Sequence, residues 1–400
     1  MTIIDYYLPG YKAGGPVRTT ANTIDWLGDE FEFYILTSDR DFQAHEAYPD
    51  VPIRVWQKVG KANVMYLPPS DKNCWAWRQC LNRMNYDVVY LNGFFSRLSI
   101  KTMVLRWLKL IPNKPIILAP RGEFSKGALS LKHLKKLVYL TVVRWINLYQ
   151  NIIWQASSEY EKQDILDVFN VVQQGGSRKI MVAPDLPEPS PKVLVAPNLL
   201  TIKDIDTQTG SLIKPRLKMS GSVKIIFLSR IVRKKNLDFA LRVLSEVQGE
   251  VDFDIYGPLE DAAYWQECEA LIRQLPANIR AIYRGVVKPE RVMETFSQYH
   301  VFFFPTRGEN FGHVILEAMR AGCPVLISDQ TPWRYLTDKQ VGWDLSLEGK
   351  GQFVAALHSL IAMDDQTFRE WVQMAYEYGN KFAHDPAVIE ANRQLFSAVK

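Results

Sequence analysis

Glu309 and Glu317 stand eight positions apart in "RGENFGHVILEAMRAGCPVL" (307–326), on either side of an Asn-Phe-Gly turn that follows the apolar run "VFFFPT". A carboxylate beside a core is costly unless something satisfies it, so this pair asks for partners. Gly312 leaves the start of the following helix free to bring backbone N–H groups close to a ligand, and a helix N-terminus favours an anion such as phosphate. Glu309 falls in the loop and Glu317 about a turn and a half into the helix. A carboxylate that accepts two vicinal hydroxyls is a common way to hold a ribose. The plainer alternative has Glu309 capping the helix and Glu317 solvated.

A second stretch, "LSRIVRKKNLDFAL" (228–241), sets Arg230 at the end of an apolar strand and Lys235 just before a helix. Two fixed cations there would suit a diphosphate, the arginine as a fork and the lysine as a point charge; Arg233 and Lys234 read as solvated. A third, "LPGYKAGGPVRTTANTIDWL" (8–27), has Gly14 and Gly15 ahead of a helix with Val17, Ala21, Ile24 and Leu27 on one face. Its backbone can approach a phosphate or sugar. It is not GxGxxG, and Asp39 after the second strand gives a dehydrogenase only weak support. "APRGEF" puts Arg121 and Glu123 beyond another strand, "VAPNLL" offers Asn198, and Ser158 with Glu161 fits a capping box.

These stretches need rigid elements behind them. "KIIFLS", "DFDIYG", "AIYRG", "VFFFPT" and "PVLIS" are apolar on both faces, as buried parallel strands are. "NLDFALRVLSEV" between the first two puts Leu237, Ala240, Leu241 and Leu244 on one helical face. The first half repeats the pattern with "TIIDYYL", "FEFYILT", "DVVYLNG", "KPIILAP" and "NIIWQAS". Strand, helix, strand at such intervals predicts two α/β domains with doubly wound parallel sheets. The polar, Gly/Ser/Pro-dotted segment 198–224 marks the boundary, giving domains of 1–205 and 206–400; the last helix, about 385–400, is expected to pack back on the first domain. Two such domains facing each other leave a cleft at the strand ends, where ligands of this class bind.

An apolar fraction of 47% with 23% charge excludes disorder. Cys74, Cys80, Cys268 and Cys323 are scattered, which points to neither a disulfide framework nor a zinc site and favours a reducing compartment. The N-terminus has no basic segment followed by an apolar one and does not read as a signal peptide. "LVYLTVVRWINLY" (137–149) is too short for a membrane span and reads as a buried helix. Residues 51–150 carry 17 Lys/Arg against 3 Asp/Glu, whereas residues 201–400 carry 24 against 25. The basicity is regional, and its mixture with Trp, Leu and Tyr suits an anionic bilayer as well as an ordinary core with solvated lysines.

Taken in order, the stretches resemble the retaining glycosyltransferases of family four, also called group one, which have the two-domain GT-B architecture. "RGENFGHVILEAMRAGCPVLIS" looks like that family's Glu-x7-Glu signature, "LSRIVRKKN" like its arginine and lysine diphosphate site, and "PGYKAGGPVRTTAN" like its first glycine loop. "SSEYEKQDI", "APN" and "IYG" follow in the expected order. The resemblance implies that Glu317 holds the nucleotide ribose, Glu309 lies against the transferred sugar, and Arg230 and Lys235 neutralise the leaving diphosphate. It gives the amides of Asn310, Phe311 and Gly312 to sugar and phosphate, with Gly14, Gly15 and Gly257 also on the donor side. No metal or other cofactor is expected. Two departures stand out: Asn236 where glycine is frequent, and "APRGEF" without the histidine many members carry there, which passes the acceptor side to Arg121 and Glu123. The expected partners are a nucleotide-sugar donor and a saccharide acceptor, lipid-linked in bacterial surface polysaccharide assembly, at the cytoplasmic face of a membrane. Two rival readings stay open: a sugar-nucleotide epimerase of the same shape, and a basic nucleic-acid-binding protein, which only the regional charge supports.

Overall fold

The computed structural model describes residues 1–130, 133–169, 191–200 and 216–398. The chain divides into two compact units, Met1–Asp204 with Pro386–Lys400, and Ile205–Asp385. Residues 201–215 of the expected boundary segment lie outside the described residues.

In the first unit, β1 (Thr2–Ile3), β2 (Tyr34–Ser38), β3 (Trp56–Val59), β4 (Ala62–Leu67), β5 (Val89–Asn92), β6 (Ile116–Ala119), β7 (Ile153–Ala156) and β8 (Lys192–Val195) form one sheet. Its order is β3-β4-β2-β1-β5-β6-β7-β8, parallel except for the β3–β4 hairpin. Every residue of β5, β6 and β7 is buried, because helices cover both faces and the apolar runs have no solvent side. Three differences from the sequence reading concern weak signals. "TIIDYYL" forms a strand only at Thr2–Ile3, with Ile4 N and the Asp5 carbonyl making the last bonds to Leu36 and Ser38 of β2. β3, β4 and β8 were not expected: "WQKV" and "KVLV" are short edge strands of mixed polarity, and "ANVMYL" pairs with the first of them. The helix His133–Trp145 is not the buried helix its composition suggests: Leu140 and Val143 are buried, but Leu134, Leu137, Val138, Val142 and Trp145 are exposed.

The helix Pro386–Ser397 belongs to this unit. Phe396 lies 5.3–5.6 Å, ring to ring, from Tyr90, Phe33 and Phe31, and Asn392 donates to the Pro197 carbonyl at 2.7 Å.

The second unit holds β9 (Ser222–Leu228), β10 (Glu250–Tyr256), β11 (Ile279–Gly285), β12 (Val301–Phe304), β13 (Val325–Ser328) and β14 (Gly342–Leu345). Their order is β11-β10-β9-β12-β13-β14, parallel throughout. Because β9 and β12 are neighbours in the centre, the loops leaving their C-terminal ends, 229–236 and 305–312, come together. That adjacency positions the site.

Candidate functional site

The loop after β9 ends in a short 3-10 turn, Arg233–Lys235, and the helix Leu237–Leu244 begins behind it. Asn236 joins the two in the left-handed region, φ 64°. This is the backbone reason glycine would suit the position, and asparagine is among the few other residues that adopt it readily. The side chain also works as a brace: its Nδ2 donates to the Pro305 carbonyl at 2.9 Å and its Oδ1 accepts from Arg307 Nε at 2.9 Å. Arg307 N donates to the Lys234 carbonyl at 2.9 Å. The two loops are thus latched together by backbone and side chain.

The latch brings Lys235 Nζ to 2.5 Å from Glu309 Oε1. Thr306 Oγ1 donates to the same carboxylate oxygen at 2.9 Å. Glu309 therefore satisfies itself through a lysine 74 positions away, and it is not the cap: the cap position of the helix His313–Arg320 is Gly312, φ 76°, which has no side chain to offer. Burial pushes the Glu309 pKa up, but the charges of Lys235 and Lys234 and the hydrogen bonds from Lys235 and Thr306 outweigh it, holding the carboxyl below its usual value. Lys235 is buried, its ammonium 5.3 Å from the centre of the Phe304 ring. Glu317 is buried in the same helix, which removes the solvated alternative.

Asn310 is half-buried in the turn. The Phe311 ring packs against His313, Trp333 and Phe382, and its carbonyl accepts from Trp333 Nε1 at 2.6 Å, so what Phe311 can present to a ligand is its amide. Gly257, φ 137°, runs so close to β9 that a Cβ would lie 1.7 Å from the Ser229 carbonyl oxygen. Arg230, at the end of β9, is partly exposed and pairs with Glu260 at 3.1 Å. That ion pair is separate from the Lys235–Glu309 pair. Thr306 and Glu260 escaped the sequence reading; the only signal for the former is a hydroxyl ending an all-apolar strand.

In the first unit, Gly14 adopts φ 74°, ψ −132° ahead of the helix Gly15–Leu27, which has no side-chain cap, and no atom would meet a Cβ at Gly14 or Gly15 within 4 Å. Asp41, which carried no signal in the sequence, accepts from the amides of Tyr11, Lys12 and Phe42 at 2.7–3.2 Å and shapes this loop.

Beyond β6, Arg121 sits at φ 58°. Its guanidinium bonds to the Asn92 Oδ1 at 2.7 Å, the Asn198 Oδ1 at 3.1 Å and the Tyr90 hydroxyl at 2.5 Å. Asn92 Nδ2 is buried with no partner among the described residues, which leaves a donor at this strand end. Glu123 Oε2 accepts from the amides of Phe94 and Phe95 at 2.5 and 2.9 Å. Burial pushes its pKa up to about 7, against those two amides and Lys136. Of the expected capping box one half forms, Glu161 N donating to Ser158 Oγ at 3.2 Å; the Glu161 carboxylate accepts from Gly122 N at 2.6 Å and Ser157 N at 2.7 Å. Among the described residues there is no group of three or more His, Cys, Asp or Glu side chains that could hold a metal ion, and no helix long and apolar enough to cross a membrane.

Residues 211–377 match the family described as Glycosyl transferases group 1. Over 126 residues the chain is 28% identical to the UDP-N-acetylglucosamine–peptide N-acetylglucosaminyltransferase GtfA subunit of Streptococcus pneumoniae, a match covering 30% of this chain and 24% of that protein. Among solved structures, sucrose-phosphate synthase from Thermosynechococcus elongatus superposes with a TM-score of 0.68 at 16% identity, covering 99% of this chain and 98% of that one. WaaG, a glycosyltransferase involved in lipopolysaccharide biosynthesis, gives 0.64 at 13%, covering 100% and 99%. The fold is GT-B, and the similarity to group 1 glycosyl transferases spans residues 211–377.

Proposed function

We propose that the protein is a retaining glycosyltransferase of family four that moves a sugar from a nucleoside diphosphate sugar to a lipid-linked saccharide in surface polysaccharide assembly. The observation that carries this reading is the Lys235–Glu309 pair set beside the start of the helix His313–Arg320, whose cap position is Gly312. A cation and a row of amides are what a leaving diphosphate requires. As the glycosidic bond to the diphosphate breaks, negative charge grows on the leaving oxygens, and preorganised donors stabilise that charge more than they stabilise the bound donor. Lys235 then serves the diphosphate, Arg230 swings from Glu260 to join it, and Glu309, released from its ion pair, accepts from hydroxyls of the transferred sugar. Glu317 holds the ribose. These cations fill the role a metal would have, so no metal is expected. On the acceptor side, Arg121, Glu123 and the unpartnered Asn92 amide offer polar contacts for an incoming hydroxyl.

The test is a thermal-shift panel of UDP-, GDP-, ADP- and TDP-sugars, because a ligand that binds the native state stabilises it by mass action. One nucleotide class is expected to raise Tm, and donor consumption is expected only when a saccharide acceptor is present, with the anomeric configuration kept in the NMR spectrum of the product. Consumption without an acceptor would favour the epimerase; no shift with any sugar nucleotide defeats the reading.

A further inference from the structure

The helix His133–Trp145 has two apolar faces. At about 100° per residue, Leu140 and Val143 point inward, where they are buried, while Leu134, Leu137, Val138, Val142 and Trp145 fill an opposite arc of about 140° that is exposed, Leu134 to 76% and Trp145 to 72%. A surface helix normally gives that arc to charged residues. A contiguous exposed apolar patch marks contact with another body. The patch continues past this helix: the half-exposed Trp107 donates its Nε1 to the Ile146 carbonyl at 3.0 Å, which seats its indole beside the end of the helix, and exposed Leu108 and Lys109 follow it.

Charge identifies the occupant. From Val88 to Ser158 the chain carries eleven Lys/Arg, and Glu123 is its one acidic residue. Lys135, exposed, flanks one edge of the arc, and Arg144, 5.9 Å from the centre of the Phe169 ring, flanks the other. A second copy docked face to face would set these cations against each other. Nucleic acid would answer the charge but leave the aliphatic side chains in water. We propose that this face docks on an anionic lipid bilayer, with the helix in the plane of the interface, its aliphatic arc at the acyl boundary, and Trp107 and Trp145 at headgroup depth. The inference rests on the lipid-linked acceptor proposed above for its purpose, since docking would hold the first unit at the surface where such an acceptor resides.

The experiment is co-sedimentation of the full chain with vesicles of phosphatidylcholine alone and of phosphatidylcholine mixed with phosphatidylglycerol. It compares the wild type with the double variant Leu134→Glu/Val138→Glu, both positions being exposed, with circular dichroism and Tm to verify the fold. The wild type is expected to bind only the anionic vesicles, with a blue-shifted tryptophan emission. The variant is expected to lose at least about tenfold in partition while keeping the sugar-nucleotide thermal shift. A wild type indifferent to anionic lipid, a folded variant that binds as well as the wild type, or a self-association or duplex-DNA binding that the variant abolishes in place of vesicle binding, each overturns the dock and leaves the transferase reading standing. Vesicle binding lost in the variant, with no sugar nucleotide stabilising either protein, upholds the dock and defeats the transferase reading.

Discussion

Lys235 and Glu309 meet at 2.5 Å across the neighbouring ends of β9 and β12, with the Thr306 hydroxyl on the same carboxylate oxygen. The pair is self-sufficient, each charge compensating the other where only a tenth or so of either side chain is exposed. If Lys235 serves the diphosphate as proposed, the ligand draws the ammonium away and in doing so frees an acceptor for sugar hydroxyls. On that reading ligand binding is coupled to ionic rearrangement by the same two residues.

Replacing the lysine separates the two roles. Lys235→Ala is expected to lower kcat by about 10²–10³, the scale of removing one preorganised donor, and Arg230→Ala to fall in the same range. Lys235→Ala also strands Glu309, at a stability cost of about 3 kcal/mol. In the wild type the depressed Glu309 pKa contributes stability that is present above the ordinary value of 4.5 and is lost as pH falls through the folded-state pKa. In the variant burial dominates, so the dependence reverses and Tm should rise on acidification. The double variant Lys235→Ala/Glu309→Gln should recover stability at neutral pH without activity. Kinetics and melting curves from pH 4 to 8 test both; turnover unchanged in Lys235→Ala and Arg230→Ala would reject the assigned roles.

Glu123 predicts the opposite slope. Its folded-state pKa, about 7, lies above the ordinary 4.5, so its contribution is fully present below pH 4.5 and is lost as pH rises towards 7. The loss is at most on the order of 3 kcal/mol, less in so far as water reaches the carboxylate. Glu123→Gln keeps an oxygen for the Phe94 and Phe95 amides and removes the titration. Its stability should run flat across pH 5–7 where the wild type declines, and denaturant midpoints at closely spaced pH values would record the difference. Parallel pH profiles for the two proteins would show that Glu123 titrates normally.

Two glycines of the sequence reading separate cleanly. At Gly257 a Cβ would sit 1.7 Å from the Ser229 carbonyl oxygen, a clash with backbone that cannot move without breaking β9. Gly257→Ala should cost more than about 4 kcal/mol and yield little folded protein. At Gly14 a Cβ meets nothing, so Gly14→Ala pays only for φ 74°, about 1–3 kcal/mol, and folds. If a donor or acceptor approaches that loop, the added methyl raises KM while Tm falls only modestly. Equal Tm losses in the two variants would contradict the geometry.

The residues legible in the sequence share one property: their signal is local. β9, β12 and β13 are unbroken apolar runs, and the turn "RGENFG" carries its own glycines, so the strand ends and the start of the following helix follow from short windows. Partners across the sheet were not legible. Nothing in "RKKN" says that its third residue, and not its second, reaches a glutamate three strands of sequence later; that depends on β9 and β12 being neighbours. The Arg230–Glu260 pair and the hold of Asp41 on the glycine loop are hidden for the same reason. Helix His133–Trp145 fails differently. Its sequence is apolar on two faces, and apolarity cannot tell which side has a protein partner and which has none.

Asn236 draws the local and the distant together. The position requires φ 64°, and two further tasks hang on its amide, the bonds to the Pro305 carbonyl and to Arg307 Nε that latch the Glu309 loop to the Lys235 loop. Asn236→Gly accepts the backbone and loses both bonds, each worth about 0.5–1.5 kcal/mol, so it should destabilise by roughly 1–3 kcal/mol. Asn236→Ala adds the left-handed penalty of about 1–2 kcal/mol and should be the worse of the two. If the latch serves only the fold, kcat at a temperature well below both Tm values stays at the wild-type level. If it aligns the ion pair, as the geometry requires, Asn236→Gly lowers kcat several-fold while folded. Urea midpoints with kinetics on the same preparations distinguish these outcomes, because a glycine variant both stable and fully active would mean the two loops find their register without the asparagine.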